Sequence, residues 1–426
     1  MSLDCLSASS TLKSVIYRLR TVFFDYADFL FVFKPKTSRW KIMKGKRNVL
    51  CITGTLLVGG AEKLNLNIAK GVDSQKYSFH LMTTEVASNI WGSKFKPHFL
   101  NIITPGNIGC FSQIDYKRLK FLIRKLNIEI VLLNQSGYEY VPYLKAQFRN
   151  IAIVDIVHNE VNPSLDKIER SAPYVDRRIC ISNRVKNYLM NEYSNSKIAK
   201  TYIDRLTVIH NGIDVWEFEA DSQKKSNFKS RFSIHENTVV ISFIGRFSEP
   251  KNPLLFVEIA KKVLSKSNKE LKFVMAGNGL EFEKVSNLIK SYGLEDHFIL
   301  LGMIDNVAEL LLDTNILLIV SKREGLPLTV LEAMSMGVPV ISNNVGAINE
   351  IIEDNVNGFL INPEKEVDET VESFTCKILE LMKGPTNQDL IQKARETIVT
   401  EFSLDTMASK YESIFDELTG YNLKKD

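Results

Sequence analysis

The sequence has few cysteines and no long apolar run, and each shortage argues against a class of protein. Its five cysteines are scattered along 426 residues and never form a Cys-x-x-Cys pair. This pattern argues against a disulfide framework or a zinc site and is typical of a reducing compartment. No stretch reaches the ~18 uncharged apolar residues that a membrane-spanning helix needs. We therefore expect a cytoplasmic globular protein.

The sequence also lacks a strong overall charge. The net charge of +4 is too small to indicate a nucleic-acid partner, and we expect none. Charge is instead concentrated at one end, because residues 1–50 hold ten Lys or Arg and three Asp or Glu. The 426 residues are too many for one compact core, so two domains are expected.

The N-terminal segment combines this positive charge with apolar residues at helical spacing between positions 15 and 33. An apolar helical face beside a cationic cluster is what an interfacial membrane anchor needs. Residues 1–46 are therefore predicted to be a basic amphipathic extension in peripheral contact with an anionic membrane, at the inner face of the plasma membrane. Two alternatives stay open, namely a helix packed on the body of the protein and an extension upstream of a later start.

From residue 47 onward, short β-rich apolar runs alternate with longer helical stretches, which predicts stacked βαβ units around parallel sheets. Strands are predicted at 48–53, 78–83, 129–134, 151–157, 177–181 and 206–209, and again at 238–244, 271–276, 298–301, 315–320, 338–342 and 358–361. Helices are predicted at 61–70, 115–126, 184–193, 253–266, 281–291, 305–312, 328–336, 346–353 and 403–418.

The fold class predicted is therefore α/β, with two Rossmann-like doubly wound domains. The first spans 47–214 and the second 238–402, and the polar segment 215–237 between them is predicted to be a linker. Ligands of such sheets bind outside the carboxyl ends of the strands, so the loops after strands are where chemistry is expected.

The first such loop contains Gly54, Gly59 and Gly60, and it comes close to a nucleotide-binding P-loop. A P-loop needs Lys and Ser or Thr after its last glycine, whereas Gly60 and Ala61 stand there. What remains is flexible backbone at the start of a helix, where free N–H groups and the helix dipole favour an anion. A plain tight turn would need the same glycines.

The second half carries a pair of cations after a predicted strand. Gly245 and Arg246 end that strand, and Lys251 follows five residues after Arg246. Two fixed cations at the mouth of a sheet suit a diphosphate, with Arg acting through its fork and Lys as a point charge. The alternative is a pair of ordinary solvated surface side chains.

Two more loops follow predicted strands. The first is Gly277, Asn278 and Gly279, where backbone can approach a flat ligand or simply turn. The second leads into a helix and contains Glu324, Gly325, Leu326, Pro327, Leu328 and, inside the helix, Glu332. Backbone N–H groups at this helix start can hold a phosphate, and the two carboxylates can accept hydrogen bonds from sugar hydroxyls.

These residues resemble the retaining GT-B glycosyltransferases of family 4, whose hallmark Glu-x7-Glu motif is matched by Glu324 and Glu332. The resemblance covers roughly residues 47–418. Its other motifs occur in the family's order and are Gly59-Gly60-Ala61-Glu62, His158-Asn159, His210-Asn211-Gly212-Ile213-Asp214, Gly245-Arg246 with Lys251, Gly277-Asn278-Gly279 and Gly337-Val338-Pro339-Val340.

The resemblance implies a role for each matching residue. Arg246 and Lys251 would neutralise the donor diphosphate, His158 and Glu324 would face the transferred sugar, and Glu332 would contact the ribose. The other implied donor-binding positions are Gly59, Gly60, Gly245, Gly277, Asn278, Gly279, Gly325, Leu326, Pro327 and Leu328. The final helix, 403–418, would cross back onto the first domain.

The implied function is a metal-independent hexosyltransferase with no cofactor. It would move a sugar from a nucleotide-diphosphate sugar to a glycan or lipid-linked acceptor in cell-surface polysaccharide biosynthesis. The sequence contains no Asp-x-Asp pair, which suits a mechanism without a bridging metal. Two alternatives are a nucleotide-sugar epimerase or hydrolase of the same fold and a catalytically silent binding protein.

Overall fold

A computed structural model describes residues 41–54, 59–84, 92–103, 113–160, 164–196, 199–219, 226–384 and 388–420. The amphipathic part of the predicted N-terminal extension, residues 1–40, lies outside these ranges, as do residues 55–58 of the first glycine loop. Within the described ranges, every helix is too short or too polar to cross a membrane.

The first half of the chain forms a seven-stranded parallel sheet in the order β3-β2-β1-β4-β5-β6-β7. Its strands are β1 (Arg47–Thr53), β2 (Tyr77–Thr83), β3 (Asn101–Ile103), β4 (Ile128–Asn134), β5 (Ala152–Val157), β6 (Arg177–Cys180) and β7 (Leu206–Val208). Six of them were predicted to within one residue at each end. The exception is β3, whose three residues are too few for a periodic signal.

The second half forms a six-stranded parallel sheet in the order β10-β9-β8-β11-β12-β13. Its strands are β8 (Val239–Ile244), β9 (Leu271–Ala276), β10 (Phe298–Gly302), β11 (Ile316–Ile319), β12 (Val340–Asn343) and β13 (Phe359–Ile361). All six were predicted to within two residues. Sheets covered on both faces need continuous apolar strands, and that is the pattern the sequence shows.

Helices cover both sheets. They are α1 (Gly60–Gly71), α2 (Gly92–Phe95), α3 (Gln113–Lys125), α4 (Val141–Gln147), α5 (Leu165–Ser171), α6 (Asn183–Asn195), α7 (Phe228–Arg231), α8 (Pro253–Lys266), α9 (Phe282–Ser291), α10 (Val307–Leu312), α11 (Leu328–Ser335), α12 (Val367–Lys383), α13 (Gln388–Glu401) and α14 (Leu404–Thr419). Eight of the nine predicted helices are confirmed.

The ninth predicted helix, 346–353, is wrong. The segment holds only a short 3₁₀ turn, Ile348–Glu350, because Gly346 opens it with a φ of +64°, outside the helical region. No prediction covers α12, although its buried Val371, Phe374 and Ile378 recur at helical spacing.

The predicted linker is partly ordered. Phe228 of α7 and Ile234 are buried in one apolar cluster with Leu310 of α10. Residues 226–234 therefore pack on the second sheet's unit rather than hanging between the two units.

The last helix, α14, leaves the second unit and packs on the first. A Cβ added to Gly71 at the end of α1 would lie 2.8 Å from the Cβ of Ala408, so the two helices touch at backbone distance. The hydroxyl of Tyr77 donates a hydrogen bond to Asp416. One apolar cluster contains Leu64 of the first unit together with Leu331 of the second, so the two units share a core.

A buried ion pair joins two adjacent strands of the first sheet. Arg178 on β6 donates from Nε to Asp155 Oδ2 on β5 at 2.7 Å, and the two side chains are 2% and 0% exposed. Asp155 also accepts from the Tyr138 hydroxyl at 2.7 Å, and Arg178 donates to Ser171 Oγ at 2.7 Å. Each charge thus has polar partners that offset its removal from water.

Replacing Arg178 with leucine should strongly destabilise the protein, because Asp155 would keep a buried charge without its cation. The expected cost is about 3–5 kcal/mol. The matched control is Arg170→Leu, which removes an exposed ion pair with Asp166 and should cost less than about 1 kcal/mol. Thermal unfolding followed by circular dichroism compares the two variants, and equal melting temperatures would contradict the prediction.

Candidate active site

The loops predicted to be functional all lie at the carboxyl ends of strands. Gly59 precedes α1 after β1, and His158 follows β5 directly. In the second unit, Gly245 follows β8, Gly277 follows β9 and Glu324 comes five residues after β11. The two sheets present these ends to each other across a cleft.

The facing loops approach each other at two places. A Cβ added to Gly325 would lie 2.3 Å from the backbone oxygen of His158, so only glycine fits between the two units there. At the other side of the cleft, a Cβ placed on Gly59 would lie 3.9 Å from Nη2 of Arg246. Both contacts join residues that were singled out in separate halves of the sequence.

Glu324 is held by two neighbours in the second unit. Lys251 Nζ lies 2.6 and 2.7 Å from its two carboxylate oxygens, and Ser321 Oγ donates to Oε1 at 2.6 Å. The Glu324 side chain is 6% exposed and the Lys251 side chain 32% exposed. The bidentate contact fixes the carboxylate and leaves the ammonium open to the cleft. The sequence analysis had assigned Lys251 to the donor diphosphate and Glu324 to the transferred sugar.

A second loop supports Glu324 from behind. Gly346, with a φ of +64°, packs so closely that an added Cβ would lie 1.9 Å from the backbone oxygen of Glu324. The next residue, Ala347, donates its N–H to the carbonyl of Gly325 at 3.2 Å. Sequence reasoning missed this support, since the same stretch was predicted to be helical.

The Gly277 loop is shaped by a neighbouring backbone. Gly277 has a φ of +135°, and a Cβ there would lie 1.9 Å from the carbonyl oxygen of Gly245. Gly279, with a φ of +157°, approaches the carbonyl oxygen of Phe247 in the same way, at 2.3 Å. These glycines are therefore required by the close packing of the β8 and β9 loops, whether or not a ligand is bound.

The loop from Leu326 to Leu328 precedes α11 and is buried. Asn211 Nδ2 donates to the Leu326 carbonyl at 3.0 Å, so the His210-Asn211-Gly212 motif of the first half ties down the start of α11. Pro327 immediately precedes the helix, with a φ of −72°. The backbone N–H groups at this helix start have no intrahelical partner and can receive an anion.

His158 belongs to a hydrogen-bonded chain in the first unit. Its Nε2 lies 2.7 Å from Asn134 Oδ1, and Asn134 Nδ2 donates at 2.9 Å both to the Ala61 carbonyl and to Asn65 Oδ1. Because the amide nitrogen of Asn134 donates both of its hydrogen bonds, Oδ1 is the atom that faces His158. This oxygen accepts a hydrogen bond from Nε2–H. The neutral imidazole of His158 therefore offers Nδ1 as an acceptor.

Burial lowers the pKa of His158 from its ordinary value of 6.5 to about 4. The ring is only 8% exposed, and a charged imidazolium would lose most of its hydration there. His158 is therefore neutral at physiological pH and can orient a hydroxyl group rather than supply a charge.

Glu332 lies on α11 and is 2% exposed. Its Oε1 contacts Lys63 Nζ at 2.5 Å, and Lys63 comes from α1 of the opposite unit. Sequence reasoning placed Glu332 at the ribose and did not single out Lys63, which carries no motif signal of its own. The ion pair is a product of the two units meeting.

His210 lies outside the Glu324 cluster and joins a second contact between the units. Its Nε2 is 2.9 Å from Glu350 Oε2, and Glu350 also accepts from the backbone N–H groups of Asn183 and Arg184 at the start of α6. Burial alone would raise the pKa of Glu350, but these hydrogen bonds together lower it to about 2. A carboxylate of the second unit thus binds the helix start of the first.

A cavity of 470 Å³ opens beside this contact, between α6 and the loop that begins at Gly346. Its polar lining includes Asn187, Tyr188, Asn191 and Asn349. The Arg184–Glu160 ion pair also lines it, and Glu160 comes two residues after His158. The cavity therefore lies near the carboxyl end of β5.

Two family profiles match successive parts of the chain. The profile "Glycosyltransferase Family 4" matches residues 58–217, and "Glycosyl transferases group 1" matches residues 224–397. The chain is 25% identical over 388 residues to the N-acetyl-alpha-D-glucosaminyl L-malate synthase of Bacillus anthracis, covering 88% of this chain and 97% of that protein.

Solved structures show the same fold. A glycosyltransferase from Rickettsia africae superposes with a TM-score of 0.74 at 20% identity, covering 89% of this chain and all of that one. HepE of Anabaena, solved with UDP and glucose, gives 0.72 at 18% identity over 87% of this chain and all of its own. Two Rossmann-like units that face each other in this way define the GT-B fold. The chain belongs to the family 4 glycosyltransferases, also described as glycosyl transferases group 1.

Replacing Gly346 with alanine should impair both stability and sugar transfer. The left-handed backbone alone should cost about 1–3 kcal/mol, and the new methyl group would displace the Glu324 carbonyl. Gly384→Ala is the matched control, because a Cβ there meets no atom within 4 Å. The melting temperatures and initial transfer rates of the two variants are compared. A Gly346→Ala protein that behaves like the control would show that Gly346 does not support Glu324.

His158 should make stability fall as the pH drops. Its pKa is about 4 in the folded protein and 6.5 ordinarily, so the unfolded chain binds more protons between these values. This contribution is complete above about pH 6.5 and is lost as the pH falls to about 4, amounting to about 3 kcal/mol at most.

The check is the stability difference between the wild-type protein and His158→Gln, measured by urea unfolding from pH 7 to pH 4. His80, whose pKa burial also lowers to about 4, acts equally in both proteins and cancels. The wild-type protein should lose more stability than the variant over this window. Parallel pH curves would show that His158 does not titrate as expected.

Proposed function

We propose that this protein transfers a sugar, with retention of configuration, from a nucleoside diphosphate sugar to a glycan or lipid-linked acceptor. The observation that carries the proposal is the convergence of Arg246, Lys251, Glu324, Glu332 and His158 on one cleft between the units. Cations for a diphosphate, carboxylates for hydroxyls and a neutral imidazole are the groups that binding such a donor requires.

The diphosphate would lie between the two units. Arg246 Nη2 faces the Gly59 loop, and Lys251 is fixed nearby through Glu324. The backbone N–H groups of Gly60 and Ala61 at the start of α1 have no intrahelical partner. These groups would stabilise the negative charge that develops on the departing diphosphate, without a metal ion. Within the described residues, no cluster of three or more His, Cys, Asp or Glu is arranged as a metal site.

The transferred sugar would lie between His158 and Glu324. His158 would accept a hydrogen bond from a sugar hydroxyl at Nδ1, because Nε2 donates to Asn134. Glu324 would accept from hydroxyls with a carboxylate that Lys251 and Ser321 hold in place. Fixed partners of this kind supply orientation without reorganisation during the reaction.

The two cleft carboxylates support a reaction without a covalent enzyme intermediate. Glu324 is bound by Lys251 and Ser321, and Glu332 by Lys63. A carboxylate engaged in this way is a weak nucleophile. We therefore propose that the acceptor hydroxyl attacks from the face that the diphosphate leaves, and that the leaving phosphate takes its proton.

The acceptor would approach through the 470 Å³ cavity. Its Asn187 and Asn191 amides can both donate to and accept from sugar hydroxyls. A similar protein of Escherichia coli, 27% identical over 256 residues that make up 58% of this chain and 62% of that protein, is named as a galactosyltransferase acting on a GlcNAc-diphosphoundecaprenol. That name supports an acceptor in cell-surface polysaccharide synthesis, which suits peripheral contact of the N-terminal extension with an anionic membrane.

Replacing Arg246 and Lys251 with alanine should lower the rate of sugar transfer at least 10²-fold. Each substitution removes a positive charge that would stabilise the leaving diphosphate. The donor is first found by thermal shift with a panel of UDP, GDP, ADP and dTDP sugars, because a ligand that binds the folded state raises its melting temperature. Transfer is then followed with radiolabelled donor and extracted lipid-linked glycans.

Lys322→Ala is the matched control, because Lys322 is a nearby surface lysine paired with Glu249. It should leave the rate within about two-fold, as expected for an exposed pair. Unchanged transfer by the Arg246 and Lys251 variants would refute the assignment of the diphosphate site. Release of free sugar without any glycosylated product would favour a hydrolase.

A further inference from the structure

Among the described residues, Lys63 is a cation at the cleft to which the donor-binding scheme above gives no role toward the donor. It lies on α1 of the first unit, yet its ammonium contacts Glu332 Oε1 on α11 of the second. Glu332 is the carboxylate assigned to the ribose, so the contact lies at the nucleotide end of the cleft.

The position of Lys63 is set by contacts on both sides. Its backbone N–H donates to the Gly59 carbonyl at 3.0 Å, which places it in the first turn of α1. Further along α1, Asn67 Nδ2 donates to the Gly212 carbonyl at 2.7 Å and fixes the helix against the chain that leaves the first sheet. The ammonium lies 4.8 Å from the centre of the Phe218 ring, a cation–π distance.

Glu332 depends on this cation more than a surface carboxylate would. The side chain is 2% exposed, whereas Lys63 keeps 21% of its surface and reaches the cleft. A buried carboxylate without a cation loses its hydration with no compensation. Lys63 therefore gives the buried Glu332 carboxylate a cation partner and a fixed orientation.

We infer that Lys63 is a positioning residue for nucleotide binding, which holds Glu332 so that its carboxylate accepts hydrogen bonds from the ribose hydroxyls. The inference rests on the proposed function, since it assumes a nucleoside diphosphate donor. Because Lys63 and Glu332 belong to opposite units, the ribose site is complete only when the two units are in contact. Ribose recognition thereby becomes coupled to the closed arrangement of the cleft.

The test compares how well variants distinguish a ribose from one that lacks its hydroxyls. Isothermal titration calorimetry measures the affinity of the full chain for UDP and for 2′,3′-dideoxy-UDP. Where GDP or ADP binds more tightly than UDP, that nucleotide is compared with its 2′,3′-dideoxy analogue instead. Where dTDP does, its single 3′-hydroxyl is tested against 3′-deoxy-dTDP. The proteins are the wild type, Lys63→Met, Lys63→Arg, Glu332→Gln and the double variant Lys63→Met with Glu332→Gln.

The wild-type protein should prefer the full ribose by at least about ten-fold, and Lys63→Met should lose that preference. Its affinity for the dideoxy analogue should stay within about three-fold of the wild-type value. Lys63→Arg should restore most of the preference, because it keeps the charge. Adding Lys63→Met to Glu332→Gln should cause little further loss, since the two residues act as a pair.

The matched control is Lys70→Met on the same helix, which removes a surface contact to Glu217 at 3.4 Å and should leave both affinities unchanged. Tighter nucleotide binding by Lys63→Met would overturn the inference, because Lys63 would then block the ribose site. Equal loss for both nucleotides would also overturn it and assign Lys63 a structural role or a direct phosphate contact. If the wild-type protein binds none of the four nucleotides, the proposed function itself fails, and the inference fails with it.

Discussion

The whole site depends on the approach of the two sheets end to end. At Gly325 this approach is so close that a Cβ would lie 2.3 Å from the His158 carbonyl. Neither unit contains all the groups that line the candidate site. Arg246, Lys251, Glu324 and Glu332 lie on the second unit, whereas His158 and the α1 helix start lie on the first. The apolar core shared by the units, together with α14, holds these halves in register.

Three carboxylates of the second unit have partners across a loop or across the units. Glu324 is bound by Lys251, Glu332 by Lys63, and Glu350 by His210 and the start of α6. Paired charges can be held in a dry cleft, where an isolated one would be too costly. The same pairing fixes directions, so the site is oriented before a donor arrives. His158 is the exception to charge pairing: burial keeps it neutral, and Asn134 sets its tautomer.

Sequence reasoning worked best where a local pattern has one physical cause. A strand of a parallel sheet is buried on both faces, so its sequence is a continuous apolar run. For this reason twelve of the thirteen strands in the described chain were predicted to within two residues. Positive φ at Gly346 broke a helix prediction, because the residue's conformation is imposed by its contact with the Glu324 carbonyl. The polar composition between Asp221 and Asn237 predicted a linker. Phe228 is nevertheless buried, because it makes tertiary contacts that composition does not reveal.

By itself the sequence determined the fold class and the family, and it allowed the residues of a donor site to be predicted. Strand periodicity follows from local backbone geometry, so it can be read from the sequence. Tertiary structure alone decided which charges neutralise one another. The Lys63–Glu332 contact joins residues 269 positions apart, and the Gly277 turn is shaped by the backbone of Gly245. Both contacts join segments that are far apart in the sequence, and no local pattern encodes them.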